Sequence, residues 1–393
     1  MSLLSVADAQ ARLLGLACAL PLESVPLVDA VGRWAGEDVM ALRHQPATDL
    51  SAMDGYAIRF DDLPGPWTLI GESAAGQRFA GMVGAGECVR IFTGAALPEG
   101  ADTILIQEEV AADGATIRLT GDAPDRCGLH VRGRGGDFAQ GAVVIAAGEK
   151  LTPAHVALAA MAGHGALKVA RRVRVALIST GNELVAPGDP VGPDQLPGSN
   201  GVMLRALLAG LPCDVVDGGI IRDELPAIEA AIRAVAGVDI IVTTGGASVG
   251  DHDLVRPALV AAGAVLDFYK VAMKPGKPLM AGRLGDALVL GLPGNPVSAF
   301  ATATLFLKPL VAAMAGAAMP LPQMVELPLG QALTPVGQRA EFLRAHWDGR
   351  TVTALSTQDS GAVRALAQAN ALICRPVHDG PVAAGALVGC LLL

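Results

Sequence analysis

A chain of 393 residues, 52% hydrophobic and 17% charged, carries enough apolar side chain for roughly two to four buried cores, which excludes intrinsic disorder. The formal net charge of −9 argues against a nucleic-acid partner, whose phosphates demand a basic surface, and favours a small anion held by a few placed cations. The six cysteines (Cys18, Cys88, Cys127, Cys213, Cys374, Cys390) include no Cys-x-x-Cys pair, and nothing reads as an export signal, so zinc ribbons, dithiol chemistry and a disulfide framework are disfavoured and the cytoplasm is the expected compartment.

Residues 5–20 predict a helix: Ser5 can cap it, Asp8 stands three positions on, and Pro21 stops the run. From about 25 to 144, short apolar runs such as Trp67-Thr68-Leu69-Ile70 and Thr103-Ile104-Leu105-Ile106 alternate with Gly, Pro and Asp, the texture of a β-rich region. Thr152 followed by Pro153 predicts a second helix over 153–163. From residue 173 the pattern becomes strand, loop, helix, repeated. Strands are predicted at 173–178, 214–216, 239–242, 265–269 and 287–290, and helices at 201–209, 224–235, 254–262 and 297–315. This alternation implies a mostly parallel sheet covered by helices on both faces. The uncharged stretch 287–307 is long enough to span a bilayer, but Gly291-Leu292-Pro293-Gly294-Asn295-Pro296 would break a helix there. A buried strand, a tight loop and a helix are the better reading. A linker near Pro320 and Pro322 leads to a small β domain over 325–393, with Asp348-Gly349 as a hairpin turn.

In open α/β sheets, ligands bind beyond the carboxyl ends of the strands. Four loops fall there: Thr180-Gly181-Asn182-Glu183-Leu184, then 243–250 with Gly245-Gly246, then Lys274-Pro275-Gly276-Lys277-Pro278, and the Gly-Leu-Pro-Gly-Asn-Pro run. Gly245-Gly246 permits close approach of a ligand to the backbone. With Ser248 and the next helix start, it forms either an anion cradle or an ordinary strand-to-helix turn. It is neither a Walker A loop nor a dinucleotide fingerprint. Lys274 and Lys277 flank a rigid turn, so either both ammonium groups face one anion or both are solvated. Glu183, Asp223, Asp251 and Asp253 follow the same strand ends. They suit Mg²⁺, which takes a small number of carboxylates beside substrate phosphates, but taken singly each better suits helix capping or a place before a helix start. His155, His164 and His252 show no metal-ligand spacing.

Three further motifs precede the α/β region: Ser51-Ala52-Met53-Asp54-Gly55-Tyr56-Ala57, the run from Arg90 to Asp102 followed by Gln107-Glu108, and Val131-Arg132-Gly133-Arg134-Gly135-Gly136-Asp137. Together with Thr-Gly-x-Glu-Leu, Gly-Gly-x-Ser-Val-Gly, Lys-Pro-Gly-Lys-Pro and Gly-Leu-Pro-Gly-Asn-Pro-Val-Ser-Ala, in that order, they resemble the MoeA-type molybdopterin molybdenumtransferases and the related gephyrin E domains over essentially the whole chain. The tail, with Ser360-Gly361 and Ala369-Asn370, is similar to the C-terminal β domain of that family.

The resemblance implies four domains: a discontinuous helical connecting and dimerisation domain (1–27 plus 142–172), an inserted β-rich domain (28–141), a three-layer MogA-like α/β domain (173–318) and a C-terminal β-barrel-like domain (319–393). It implies a homodimer, with the active site between the α/β domain of one subunit and the inserted domain of the other. The implied reaction is Mg²⁺-dependent insertion of molybdate into adenylylated molybdopterin with release of AMP, the pterin coming from a MogA-type molybdopterin adenylyltransferase. Asp54, Thr93, Asp137, Glu183, Asp223, Asp253, Lys274 and Lys277 are the implied catalytic residues, with Glu183, Asp223 and Asp253 on the metal. Thr180, Gly245, Gly246, Ser248, Gly250, Pro275, Gly276, Pro293, Gly294, Asn295 and Ser298 are implied around the pterin. The chain departs from the pattern at three points. Asn182 stands where the family often has Asp, which argues against a metal role there; Leu50 replaces a commonly polar residue; and Gly198-Ser199-Asn200 alters an Asp-Ser-Asn element. All three are expected outside the core of the site. A scaffold, a pterin-adenylylating enzyme and a nucleotide pyrophosphatase are the competing readings. The flanking domains and the retained carboxylates argue against them.

Overall fold

The computed structural model describes residues 3–246 and 254–393. The first helix, Val6–Leu16, starts as expected: Ser5 Oγ accepts the Asp8 N–H and donates to the Asp8 carboxylate. It stops before the predicted end. Ala17 is extended, and Leu20 donates its N–H to the Met314 carbonyl, so residues 17–20 run along a core helix instead of continuing the first one.

Leu22–Pro26 pairs antiparallel with Ala166–Ala170, and Val39–Met40 with Val143–Ile145, which brings the two ends of the β-rich segment together. Helix Pro153–Ala162 packs on the same small core; Thr152 and His155 cap its start reciprocally, and Gly163 ends it in the left-handed conformation. The intervening residues build a six-stranded sheet in the order Thr103–Ile106, Gly55–Ile58, Glu87–Ile91, Trp67–Ser73, Thr116–Leu119, Val110–Asp113. Its two faces bury separate clusters, one around Trp67 and Ile117, the other around Ile91 and Ile104.

The α/β sheet also has six strands, ordered Cys213–Ile221, Val173–Thr180, Ile240–Thr244, Ala287–Leu292, Met280–Leu284, Val265–Tyr269. The first four run parallel, and the last two join antiparallel. Met280–Leu284 escapes the sequence pattern because Gly282 and Arg283 interrupt its apolar run. Gly282 is required there: a Cβ would lie 2.3 Å from the Val265 carbonyl oxygen. The strand predicted at 214–216 runs on to Ile221. Asp217 Oδ1 accepts the Gly219 N–H at 2.9 Å, and this kink carries the chain past Gly218-Gly219 without leaving the sheet. Asp239, just before the third strand, accepts both Nη1 and Nη2 of Arg171 at 2.7 Å and the Arg174 N–H at 2.8 Å, fastening the preceding strand pair to the sheet.

The long uncharged stretch is a strand, a turn and a helix, as the helix-breaking residues imply. Pro296–Met314 is helical and 83% buried within the protein. Phe306, Leu307 and Leu310 belong to the largest apolar cluster, so this is a core helix. Its middle, Ala303–Leu307, widens to π geometry ahead of Pro309. A proline in a helix interior has no N–H to give and presses on the preceding turn, and the wider turn relieves both problems.

The C-terminal sheet is ordered Met273–Lys274, Ala340–Trp347, Ala371–Arg375, Leu387–Leu392, Val325–Pro328. The hairpin at Asp348-Gly349 forms as predicted, Asp348 Oδ1 accepting the N–H groups of Arg350 and Thr351. The architecture is thus multidomain α/β and β, with a three-layer α/β unit at its centre.

Candidate active site

A cleft of about 490 Å³ opens at the carboxyl ends of the parallel strands. The strands that end in Thr180, Thr244 and Leu292 deliver three of the predicted loops to it. Thr180, Glu183, Asp223, Gly245, Gly246, Pro293, Gly294, Asn295 and Ser298 all line this one space. Gly245 holds φ +94°, and a Cβ would lie 2.3 Å from the Thr180 carbonyl oxygen. Replacing Gly245 by Ala is therefore expected to strain this turn by about 2 kcal/mol and to weaken ligand binding at the cleft. Thermal denaturation together with a substrate titration checks this; an unchanged midpoint would remove the strain argument.

The charge in the cleft is unbalanced. Among its described lining residues the only ionisable side chains are Glu183 and Asp223, and neither Lys nor Arg contributes. Asp223 Oδ1 is buried without a partner among the described residues. Its backbone N–H donates to Asn182 Oδ1 at 3.1 Å. Asn182 does not line the cleft; it lines a neighbouring hollow and from there fixes the Asp223 turn. Asn182→Ala is expected to lower turnover about tenfold, whereas Asn182→Asp, which keeps an acceptor oxygen, retains most of it. Equal losses in the two variants would contradict this role.

Both lysines are exposed, and neither lines the cleft. Lys274 Nζ donates to Glu341 Oε1 at 3.0 Å, an exposed ion pair that ties the turn to the C-terminal sheet. Lys277 is exposed next to Pro278, which reaches the cleft. Gly276 faces inward, where a Cβ would lie 2.6 Å from Thr302 Cγ2; it and Pro275 serve the packing of the turn and do not line the cleft. Ser248, Gly250, Asp251, His252 and Asp253 lie outside the described residues.

Asp54 and Thr93 meet away from this cleft, in the inserted region, and Asp137 stands on a separate loop of the same region. Asp54 Oδ1 accepts the Thr93 N–H at 2.7 Å and the Thr93 hydroxyl at 2.8 Å. These two bonds, with a smaller contribution from the Arg90 cation, hold its carboxyl below the usual range. The Arg90 guanidinium lies 5.0 Å from the centre of the Tyr56 ring and 4.9 Å from that of Phe92, and it donates to Gln107 Oε1 at 2.6 Å. Asp137 is exposed on a loop pinned through its own N–H to the Gln45 carbonyl and through the Arg134 N–H to Asp49 Oδ1. Val131 pairs with Ser51 and the Ala52 N–H reaches the neighbouring His130 carbonyl, which brings the first and third motifs of the inserted region together.

Residues 4–163 match the family model for the MoeA N-terminal region (domain I and II), 176–313 the probable molybdopterin-binding domain, and 326–393 the MoeA C-terminal region (domain IV). The chain is 32% identical to a molybdopterin molybdenumtransferase of Staphylococcus aureus, the match covering 98% of this chain and 95% of that one. A second protein of that name, from Haemophilus influenzae, is 38% identical over 75% of this chain and 73% of its own length. The chain belongs to the molybdopterin molybdenumtransferase family. Its structure superposes on a molybdopterin biosynthesis MoeA protein from Pyrococcus horikoshii OT3 with a TM-score of 0.88, 27% identity and full coverage of both chains.

Set against this MoeA architecture, one part of the cleft and one of its supports were not anticipated. Gly198-Ser199-Asn200, expected outside the core of the site, lines the cleft, and Asn200 Nδ2 donates to the Gly294 carbonyl at 2.7 Å. Ser360, from the C-terminal region, does not line the cleft but braces the loop that does: Asn295 Nδ2 donates to its Oγ at 2.8 Å and the Val297 N–H to its carbonyl at 3.1 Å. Arg344, buried at 1% exposure, holds this segment by donating to the carbonyls of Thr357 and Asp359. The sequence signal for Asn200 was a polar residue inside an otherwise apolar helix face. For Ser360 the tail motif marked the segment without indicating where it docks.

Proposed function

We propose that this chain is a molybdopterin molybdenumtransferase, which inserts molybdate into adenylylated molybdopterin and releases AMP in the presence of Mg²⁺. The observation that carries the reading is the cleft with two carboxylates and no cation among its described lining residues. An anionic phosphoanhydride cannot enter such a cleft unless a cation accompanies it. Hard oxygen donors, one of them buried and unpartnered, fit Mg²⁺, which binds few carboxylates and completes its shell with phosphate oxygens and water. When bound, Mg²⁺ neutralises charge on the phosphates and orients the anhydride.

The chain's own residues supply the rest. Glu183 and Asp223, with Asp253, hold the ion; Asn182 sets the angle of Asp223. Gly245, Gly246 and Gly294 let the ligand approach the backbone, with Thr180, Ser248, Gly250, Pro293, Asn295 and Ser298 around it. Lys277 neutralises the incoming molybdate, while Lys274, clamped to Glu341, fixes the turn that presents it. Asp54, Thr93 and Asp137 act from the inserted domain of a second copy. The apolar side chains exposed on the connecting region, Leu22, Val143 and Met161 among them, support such a pairing. We take the domain limits to be 1–27 plus 142–172, 28–141, 173–318 and 319–393, the compartment to be the cytoplasm and the pterin donor to be a MogA-type adenylyltransferase.

The test is AMP release from adenylylated molybdopterin by the purified chain, with and without molybdate, in Mg²⁺. Molybdate-dependent release with formation of active cofactor supports the transferase. Release that ignores molybdate points to a pyrophosphatase, and pterin binding without release to a scaffold.

A further inference from the structure

Asn200 is only 9% exposed, and its amide can face only one way. Nδ2 donates to the Gly294 carbonyl at 2.7 Å, and a carbonyl offers no proton in return, so Oδ1 is turned away from that contact. Oδ1 is buried and has no donor among the described residues. Thr180, 3% exposed, leaves its Oγ1 in the same condition. Both residues line the cleft that holds Glu183 and Asp223. The Gly-Gly turn packs directly against the Thr180 hydroxyl: a Cβ on Gly245 or Gly246 would lie 2.9 or 3.1 Å from it. Buried amide oxygens are nearly always paired, so a ligand of this cleft is called on to bring a donor.

We propose that Asn200 is a specificity-determining residue whose amide oxygen accepts a hydrogen bond from an N–H donor on the edge of the substrate's pterin ring, with the Thr180 hydroxyl as a second contact. The proposal rests on the reading of this cleft as the pterin site. Phosphate and molybdate oxygens are acceptors at neutral pH and cannot satisfy Oδ1. The carboxylates recruit the cation that holds the anionic end of the substrate, and Asn200 receives a heterocycle. Amino-bearing rings are of two kinds here, the pterin and the adenine of the leaving nucleotide, and the experiment separates them.

The full-length chain is titrated with fluorescent 6-carboxypterin, with its lumazine analogue, in which a carbonyl replaces the exocyclic amino group, and with AMP. The wild type is expected to prefer the pterin over the lumazine by at least about tenfold, since a site built around a donor rejects a ligand lacking it. Asn200→Leu, similar in volume but without polar atoms, is expected to bind both rings equally and to leave AMP affinity unchanged. Asn200→Asp keeps an acceptor while losing the bond to Gly294; it retains the preference at lower affinity, and it keeps the test open if the leucine variant does not fold. An undiminished pterin preference in Asn200→Leu overturns the proposal and leaves the transferase reading intact. Loss of AMP affinity in place of pterin discrimination overturns it in favour of an adenine contact. A wild type that binds neither ring defeats the assignment of the cleft itself, and the proposal with it.

Discussion

Replacing Asp223 by Ala is expected to reduce molybdate-dependent AMP release at least about a hundredfold while leaving the fold as stable as before, or more so. The two effects have one cause. Asp223 Oδ1 is buried with no partner among the described residues, and the residue's N–H is spent on Asn182. A carboxylate in that condition costs stability in the free protein, and replacing it relieves the cost. Groups placed to hold charge during a reaction are worth about a hundredfold or more each. Steady-state AMP release and thermal denaturation of the same preparation test the pair of outcomes. Activity within tenfold of wild type would remove Asp223 from the reaction, and a large drop in unfolding temperature would recast it as structural.

Asp239→Ala should have the largest effect on stability. The side chain is 12% exposed and accepts three hydrogen bonds, two from the Arg171 guanidinium and one from the Arg174 N–H. Its loss leaves the 37%-exposed Arg171 without its bidentate partner and the head of a central strand unanchored. Removing one partner of such a pair costs about 3 kcal/mol. Burial alone would raise the Asp239 pKa, but the hydrogen bond from Arg171, followed by that from Arg174 and the two cations, outweighs burial and holds it below the ordinary value. A carboxyl depressed in the folded state contributes stability above its unfolded pKa, near 3.9, and loses it as the pH falls through the folded value. The stability gap between wild type and Asp239→Ala, measured by urea denaturation, should therefore be constant from neutral pH down to about pH 4 and narrow below it. A gap that widens on acidification would reverse the assignment.

Much of this molecule is legible locally. The alternation after residue 173, the caps at Ser5 and Thr152 and the helix-breaking run before Val297 each depend on neighbours within a few residues, and each appears where expected. The pattern fails where a strand carries Gly and a charge, as at Met280–Leu284, because the sheet there tolerates a missing side chain that periodicity counts as an interruption. The failure at residues 17–20 is of the opposite kind. Nothing local stops that helix, and the partner that draws the chain out is Met314, almost three hundred positions away.

The sequence by itself determined the family, the alternation of strand and helix after residue 173 apart from Met280–Leu284, and the loops that follow the parallel strands into the cleft. Those properties reside in residue type and spacing. Only the tertiary structure decided the state of individual polar atoms. Lys274 is tied to Glu341 and Asn200 to Gly294 across separations of 67 and 94 residues, and Asp223 Oδ1 and Thr180 Oγ1 lie buried without partners among the described residues. Whether a polar group is satisfied depends on what the whole fold brings within about 3 Å of it, a distance that no local spacing encodes.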